Sequence, residues 1–185
     1  MTTHTSPNLI KRMRRRLYMF LAVAVSCITF STAQAAADMF LDIPGVPGES
    51  NDVAHIDEID VLAWSWGAST TGRKNCIQDL GLTKWVDRAS ARLLMGQITR
   101  EVFPEMTLTV RQAGGSAGGS TLEYLVIKLY NAQVSSLATG GSGGEDRLTE
   151  NVSFSFGSGK FKYTPQLENG AAGASVEADI PMNNC

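Results

Sequence analysis

The chain has 185 residues, a formal net charge of −2, 18 Gly, three Cys and two His. That length allows one domain or at most two, and 43% apolar with 18% charged residues argues against a wholly disordered chain. Five of the 16 basic residues and no acidic ones precede residue 36, which leaves a body with 11 Lys+Arg against 18 Asp+Glu, a net of −7. Such a body does not suit nucleic-acid binding driven by phosphate neutralisation.

The N-terminus comes first. Lys11–Arg16 is basic, Leu17–Phe30 is mostly apolar, and Ser31–Ala37 is a run of small residues around Ala33-Gln34-Ala35. That order predicts a secretory signal peptide over residues 1–35, cut after Ala35, with one domain over 36–185. The apolar run is shorter than the ~18–20 residues a spanning helix needs. A short uncleaved anchor and a start site placed too far upstream are the rival readings. A lipid-modified Cys27 is disfavoured by Ala24, which stands where a Leu-type residue is usual. Cleavage would leave Cys76 and Cys185, which either pair in an oxidising compartment or remain two thiols; both readings stand.

Past Asp38 the pattern is mostly of period two, the signature of half-buried strands. Met39–Ile43 and Ile59–Gly67 are predicted strands, separated by the turn-rich Pro44-Gly45-Val46-Pro47-Gly48. In Ile59–Gly67, alternation sets Trp64 and Trp66 on one side and Ser65 on the other. The two Trp side chains read as core or interface packing. Ile77–Val86 is a further strand with weaker alternation. A helix follows, with Ser90 as N-cap and Leu94 and Ile98 on one face. Leu108 and Val110 alternate with Thr107, Thr109 and Arg111. Leu122–Leu129 is apolar on both faces, as in a central strand. Val152, Phe154 and Phe156 alternate with Ser153 and Ser155, and Phe161 and Tyr163 with Lys160 and Lys162. Glycine clusters at 114–119 and 140–144 read as turns between strands. Roughly eight strands and one helix in this length predict a mainly β fold, a closed or nearly closed barrel or a sandwich.

Little here points to catalysis. A Ser-His or Cys-His pair in the body would have to use His55, which stands among Asn51, Asp52, Asp57 and Glu58 and reads as a solvated surface residue. No spacing singles out a carboxylate pair, although their number leaves a glycosidase-like pair possible in principle. GGSGGEDR is not a phosphate-binding loop, and its acids would repel a phosphate. No C-x-x-C, H-E-x-x-H or Cys/His cluster appears, so neither metal nor cofactor is expected. Asn151-Val152-Ser153 matches a glycosylation sequon but falls at the start of a strand.

Five ordered blocks resemble the haemolysin-coregulated protein (Hcp) family, the tube proteins of type VI secretion systems. They are Ile59-Asp-Val-Leu-Ala-Trp-Ser-Trp-Gly67 preceded by Gly48-Glu49-Ser50 and His55; Leu82-Thr-Lys-Trp-Val-Asp87; Thr107-Leu-Thr-Val-Arg111 with Ala113-Gly-Gly115; Glu123-Tyr-Leu-Val-Ile127; and Val134-Ser-Ser136 through Thr139–Val152. The resemblance covers about Asp38 to Tyr163.

The resemblance implies a compact β-barrel of two packed antiparallel sheets with one flanking α-helix. It implies homo-hexameric rings stacked into a hollow tube, with sheath, spike protein and small effectors as partners, and no enzymatic activity. It also implies a lumen-facing, effector-contacting Ser65, against the alternative of an ordinary solvent-side residue. The loop Gly140, Gly141, Ser142, Gly143, Gly144, Glu145, Asp146 and Arg147 is then an inter-subunit or ring-stacking contact, or else a plain hairpin turn. Three features depart from the family: the leader, the short stretch between Gly67 and Cys76, and an Ala/Gly/Asn-rich tail from Leu167 expected to be loose. The first two leave an alternative open, a secreted or periplasmic binding module with this barrel acting outside any tube. A secreted hydrolase is the remaining and weakest rival. With its leader the protein is expected to be secreted or periplasmic; with a misplaced start site it would assemble in the cytoplasm before ejection.

Overall fold

The computed structural model describes residues 37–71, 74–112, 121–144 and 146–181. The leader and the first glycine cluster lie outside the described residues. Among those described, ten strands and one helix occur: β1 (Ala37–Asp42), β2 (Ile59–Ser65), β3 (Ala68–Thr71), β4 (Lys74–Ile77), β5 (Leu80–Trp85), α1 (Arg88–Thr99), β6 (Phe103–Gln112), β7 (Leu122–Thr139), β8 (Thr149–Ser155), β9 (Ser158–Tyr163) and β10 (Val176–Ile180).

Eight strands run in the order β10-β9-β7-β6-β1-β2-β5-β8, and β8 returns to pair with β7. That last pairing closes β1, β2, β5, β8, β7 and β6 into a six-stranded barrel, with β9 and β10 extending one wall. Of the barrel and the sandwich that the alternation left open, the chain forms the barrel, with one helix, as the resemblance implied.

Closure depends on β7, which at 18 residues serves two walls. Its first part pairs with β6 on one side and β9 on the other. Its last part pairs with β8. The change of partner follows Asn131, whose φ of 53° is in the left-handed region; Asn tolerates this better than most side chains. A register irregularity between Val134 and Ser136 adds a further bend.

The core is the sum of the inward-facing strand positions. Leu41, Ile59, Leu80, Leu82, Leu108, Ile127, Leu129, Val152 and Phe154 are at most 3% exposed. Burial of this apolar area supplies the main driving force for the fold.

Several local expectations change. The strand expected over Ile77–Val86 is split: Ile77 ends β4, and β5 begins at Leu80. Ala68–Thr71 and Lys74–Ile77 pair as a separate β3–β4 ribbon, tied at its base by the Gln78 amide donating to the Gly67 carbonyl at 2.8 Å. The helix is capped by Asp87, not Ser90. The Asp87 carboxylate accepts from the Ala89 amide at 2.9 Å, and Ser90 is the third helical residue, its hydroxyl accepting from the Asp87 amide at 3.0 Å. This reciprocal box satisfies donors that would otherwise be orphaned. The helix buries Ala89, Leu93 and Gly96, leaving Leu94 and Ile98 in solvent. The tail expected to be loose instead supplies β10, paired along its length with β9. Lys162 faces Glu177 and Lys160 faces Asp179 across that pair.

Candidate functional site

The second wall of the barrel, β2-β5-β8 with the last part of β7, turns a surface of small residues outward. Its rows follow the strand register. Ser65 pairs with Gly81, Gly81 with Ser153, and Ser153 with Ser136. The next row is Ala63, Thr83, Asn151 and Ala138. The β2-β5-β8 part of the wall forms a shallow groove of about 290 Å³, lined by Ala63, Ser65, Gly81, Thr83, Asn151 and Ser153 together with Trp64 and Leu82. None of its lining residues is charged.

Within it, the Thr83 hydroxyl donates to the Asn151 side chain at 2.8 Å. Gly81 keeps the floor flat: a Cβ there would meet the Ser65 Oγ at 3.1 Å. Ser65 is exposed at the end of β2, on the groove side. Trp64 and Trp66 pack against the core instead, Trp66 with its ring 6.3 Å from Phe156 and 6.4 Å from Phe161.

The second candidate, the loop at 140–147, leaves the same wall where β7 ends and returns as β8. Gly140–Gly144 and Asp146–Arg147 are exposed, and Glu145 lies outside the described residues. Arg147 lies over the Trp85 ring, its guanidinium carbon 4.8 Å from the centroid. That contact anchors one end of the loop to β5.

Behind the wall lies a buried charge cluster that sequence reading missed. Lys84 is fully buried, and its ammonium reaches the Asp87 carboxylate at 2.7 Å, Glu150 at 2.9 Å and the Trp85 carbonyl at 2.6 Å. Ser90 donates to Glu150 at 2.7 Å. The cluster joins β5, β8 and the start of α1. The missed signal was parity: Lys84 shares a face with Leu80 and Leu82, and Glu150 with Val152 and Phe154.

His55 is not solvated. It is buried, stacked on Phe40 with ring centroids 4.2 Å apart. Its Nδ1 is 3.0 Å from Glu58, and its Nε2 is 3.4 Å from Glu123. Burial pushes the Glu58 carboxyl up, against a partly offsetting hydrogen bond from His55. On the same Phe40 ring lies the Arg111 guanidinium, bonded to Asp52 at 2.6 Å and Asp38 at 2.9 Å. The bond from Arg111 holds Asp52 well below the usual carboxylate range, at about 2. These contacts tie the 44–58 segment to β1, β6 and β7. They make His55 a packing and pairing residue.

Residues 40–163 match the family described as "Type VI secretion system effector, Hcp". The chain is 45% identical over 146 residues to protein hcp1 of Pseudomonas aeruginosa, covering 74% of this chain and 88% of that one. Among solved structures, a type six secretion system protein superposes with a TM-score of 0.69 at 30% identity, over 78% of this chain and 93% of that one. Hcp1 of Salmonella typhimurium gives 0.64 at 31% identity, over 78% and 94%. A type VI secretion system effector of Yersinia pestis gives 0.64 at 30%, over 77% and 100%.

Proposed function

The chain belongs to the Hcp family, the tube proteins of type VI secretion systems, and from that premise we propose that it builds hexameric rings whose small-residue walls line a conduit for effectors. One observation carries the reading: Ser65, Gly81, Ser153 and Ser136 form a continuous row across four strands, and the groove that the first three of them line has no charged lining residue. A surface of hydroxyls and short side chains contacts a passenger weakly and broadly. It has no Arg anchor, and Trp64, the one aromatic along it, is partly buried against the core. Ser65 then faces the lumen at one end of that row.

The loop at 140–147 projects from the edge of the same wall and serves as the contact between neighbouring rings. Its exposed Asp146 and Arg147 offer both signs of charge for a partner ring. Sheath and spike proteins are the further partners. No catalytic step is part of this reading.

A second reading has its own support. Cys76 is disulfide-bonded, and disulfides persist in oxidising compartments. With the signal-like leader, that favours an exported barrel acting as a binding module outside a tube.

The test is the assembly state of the purified protein. Negative-stain images and native mass spectrometry should give six-membered rings. A strictly monomeric species at high concentration would overturn the tube reading and favour the binding module.

A further inference from the structure

The His55 side chain is only 7% exposed, yet a carboxylate stands against each of its ring nitrogens. Glu58, from the same segment, lies 3.0 Å from Nδ1, and Glu123 of β7 lies 3.4 Å from Nε2. The Nε2 atom is buried and makes no hydrogen bond in this arrangement.

A neutral imidazole has one N–H and one bare lone pair. With the hydrogen on Nδ1, that nitrogen donates to Glu58, and the Nε2 lone pair faces the Glu123 carboxylate. With the hydrogen on Nε2, the lone pair faces Glu58 instead. Either tautomer sets a lone pair against an anionic oxygen. One more proton removes the conflict. On the imidazole, it lets both nitrogens donate. On Glu58, it lets that carboxyl donate to Nδ1 while Nε2 donates towards Glu123. The surroundings favour holding this proton. Burial pushes the Glu58 carboxyl up, and Asp42 at the end of β1 and Glu123 add to this, against the hydrogen bond from His55. Asp52 also faces the imidazole. The neighbouring cations are already engaged: Arg111 of β6 with Asp52 and Asp38, and Lys128 of β7 with Glu105. Phe40 of β1 supplies the apolar face beneath the ring.

We propose that His55, Glu58 and Glu123 form a proton-operated latch that holds the 44–58 segment on β7. The latch closes when the trio binds one proton beyond a neutral imidazole and two carboxylates, and it opens as rising pH removes that proton. The proton is shared by the trio, so its titration belongs to the group and not to one member. Opening leaves the segment to its other ties. Arg88 holds the Gly48 carbonyl and the Asp57 carboxylate, and Arg111 holds Asp52. Between these ties the segment presents Val53 and Ile56, which are 96% and 68% exposed. The proton therefore sets how firmly an apolar tip is mounted on the barrel. The proposal does not rest on ring or tube assembly.

The test uses the purified full chain, taken from about pH 5 to about pH 9. Amide exchange is expressed as protection relative to the intrinsic rate at each pH, and nitrogen NMR follows the His55 ring. Protection over residues 50–58 should fall about tenfold or more as pH rises, with the same midpoint as the ring signals, while β6 stays protected. Glu123→Gln places a neutral amide where it donates to a bare Nε2, so the trio is satisfied without the extra proton. Its protection over 50–58 should stay level across the range. Protection that is level in the parent, or that falls together with β6, overturns the latch. A fall in Glu123→Gln equal to the parent's overturns it as well, because the pH dependence then belongs to other groups.

Discussion

Lys84 is the residue whose loss should cost most. It is fully buried, and two carboxylates and a carbonyl converge on it. Replacing it with Ala strands Asp87 and Glu150 without their cation, an uncompensated buried charge worth about 3–5 kcal/mol of stability. Urea unfolding should read that loss, and a double-mutant cycle of Lys84→Met with Glu150→Gln should show strong coupling. Asp52 makes a second prediction, on pH. Its carboxyl lies near 2 in the fold against an ordinary 3.8, so the folded state holds the charged form more tightly than the unfolded chain does. That contribution is present above about 3.8 and is lost as pH falls through about 2. The carboxylate is about a quarter exposed, and after solvent screening the effect is about 1–2 kcal/mol. Asp52→Asn should therefore lower the melting temperature at neutral pH and match the parent near the acid limit.

Among the elements, the 44–58 segment depends on a close backbone approach. A Cβ on Gly48 would sit 2.3 Å from the Glu58 carbonyl oxygen and 2.6 Å from the Ile59 Cα. Gly48→Ala should therefore cost about 2 kcal/mol or more, read by thermal unfolding, because backbone on both sides must shift. The helix behaves oppositely on its outer face. Leu94→Ser and Ile98→Ser should change stability by no more than about 0.5 kcal/mol, since both side chains stand in solvent. The alternation that fixes β1, β2, β6 and β8 was legible because each has one face on the core, whereas Leu122–Leu129 of β7, read as a strand buried on both faces, buries only Leu125, Ile127 and Leu129 fully. The helix face was not, because Leu94 and Ile98 at helical spacing look the same whether the core or water lies beyond them. Asp87 takes the cap, while Ser90, at the third helical position, also reaches Glu150 60 positions on, a contact that no local pattern carries. The strand β10 escaped notice because its residues are mostly exposed and its hold on β9 lies in backbone pairing and in Lys–acid pairs formed only after folding.

For the whole molecule, the prediction concerns the small-residue wall. Ser65 and Ser153 stand in one row, and neither packs into the core. Ser65→Arg or Ser153→Arg should leave folding and assembly intact while narrowing the surface offered to a passenger. Retention of a co-expressed effector should fall about tenfold or more, a difference of ~1.4 kcal/mol in binding. Unchanged retention would remove Ser65 from the lumen. The wall itself was half legible: Ser65 and Ser153 could each be placed on an outward face, but their common row with Gly81 and Ser136 depends on the register of four strands far apart in the chain. Among the described residues, the five motif blocks fall on the barrel strands, on the 44–58 segment, at the helix cap and on the loop between β7 and β8.

The return of β8 to β7 also governs when the barrel can form. Until Thr149–Ser155 has been made, β5 has one open side and the last part of β7 has no partner. The pairing of β1 with β6 likewise waits across some seventy positions, from Ala37 to Gln112. Such non-local pairing makes for slow closure. The barrel of a nascent chain therefore stays open until β8, late in the sequence, has been made.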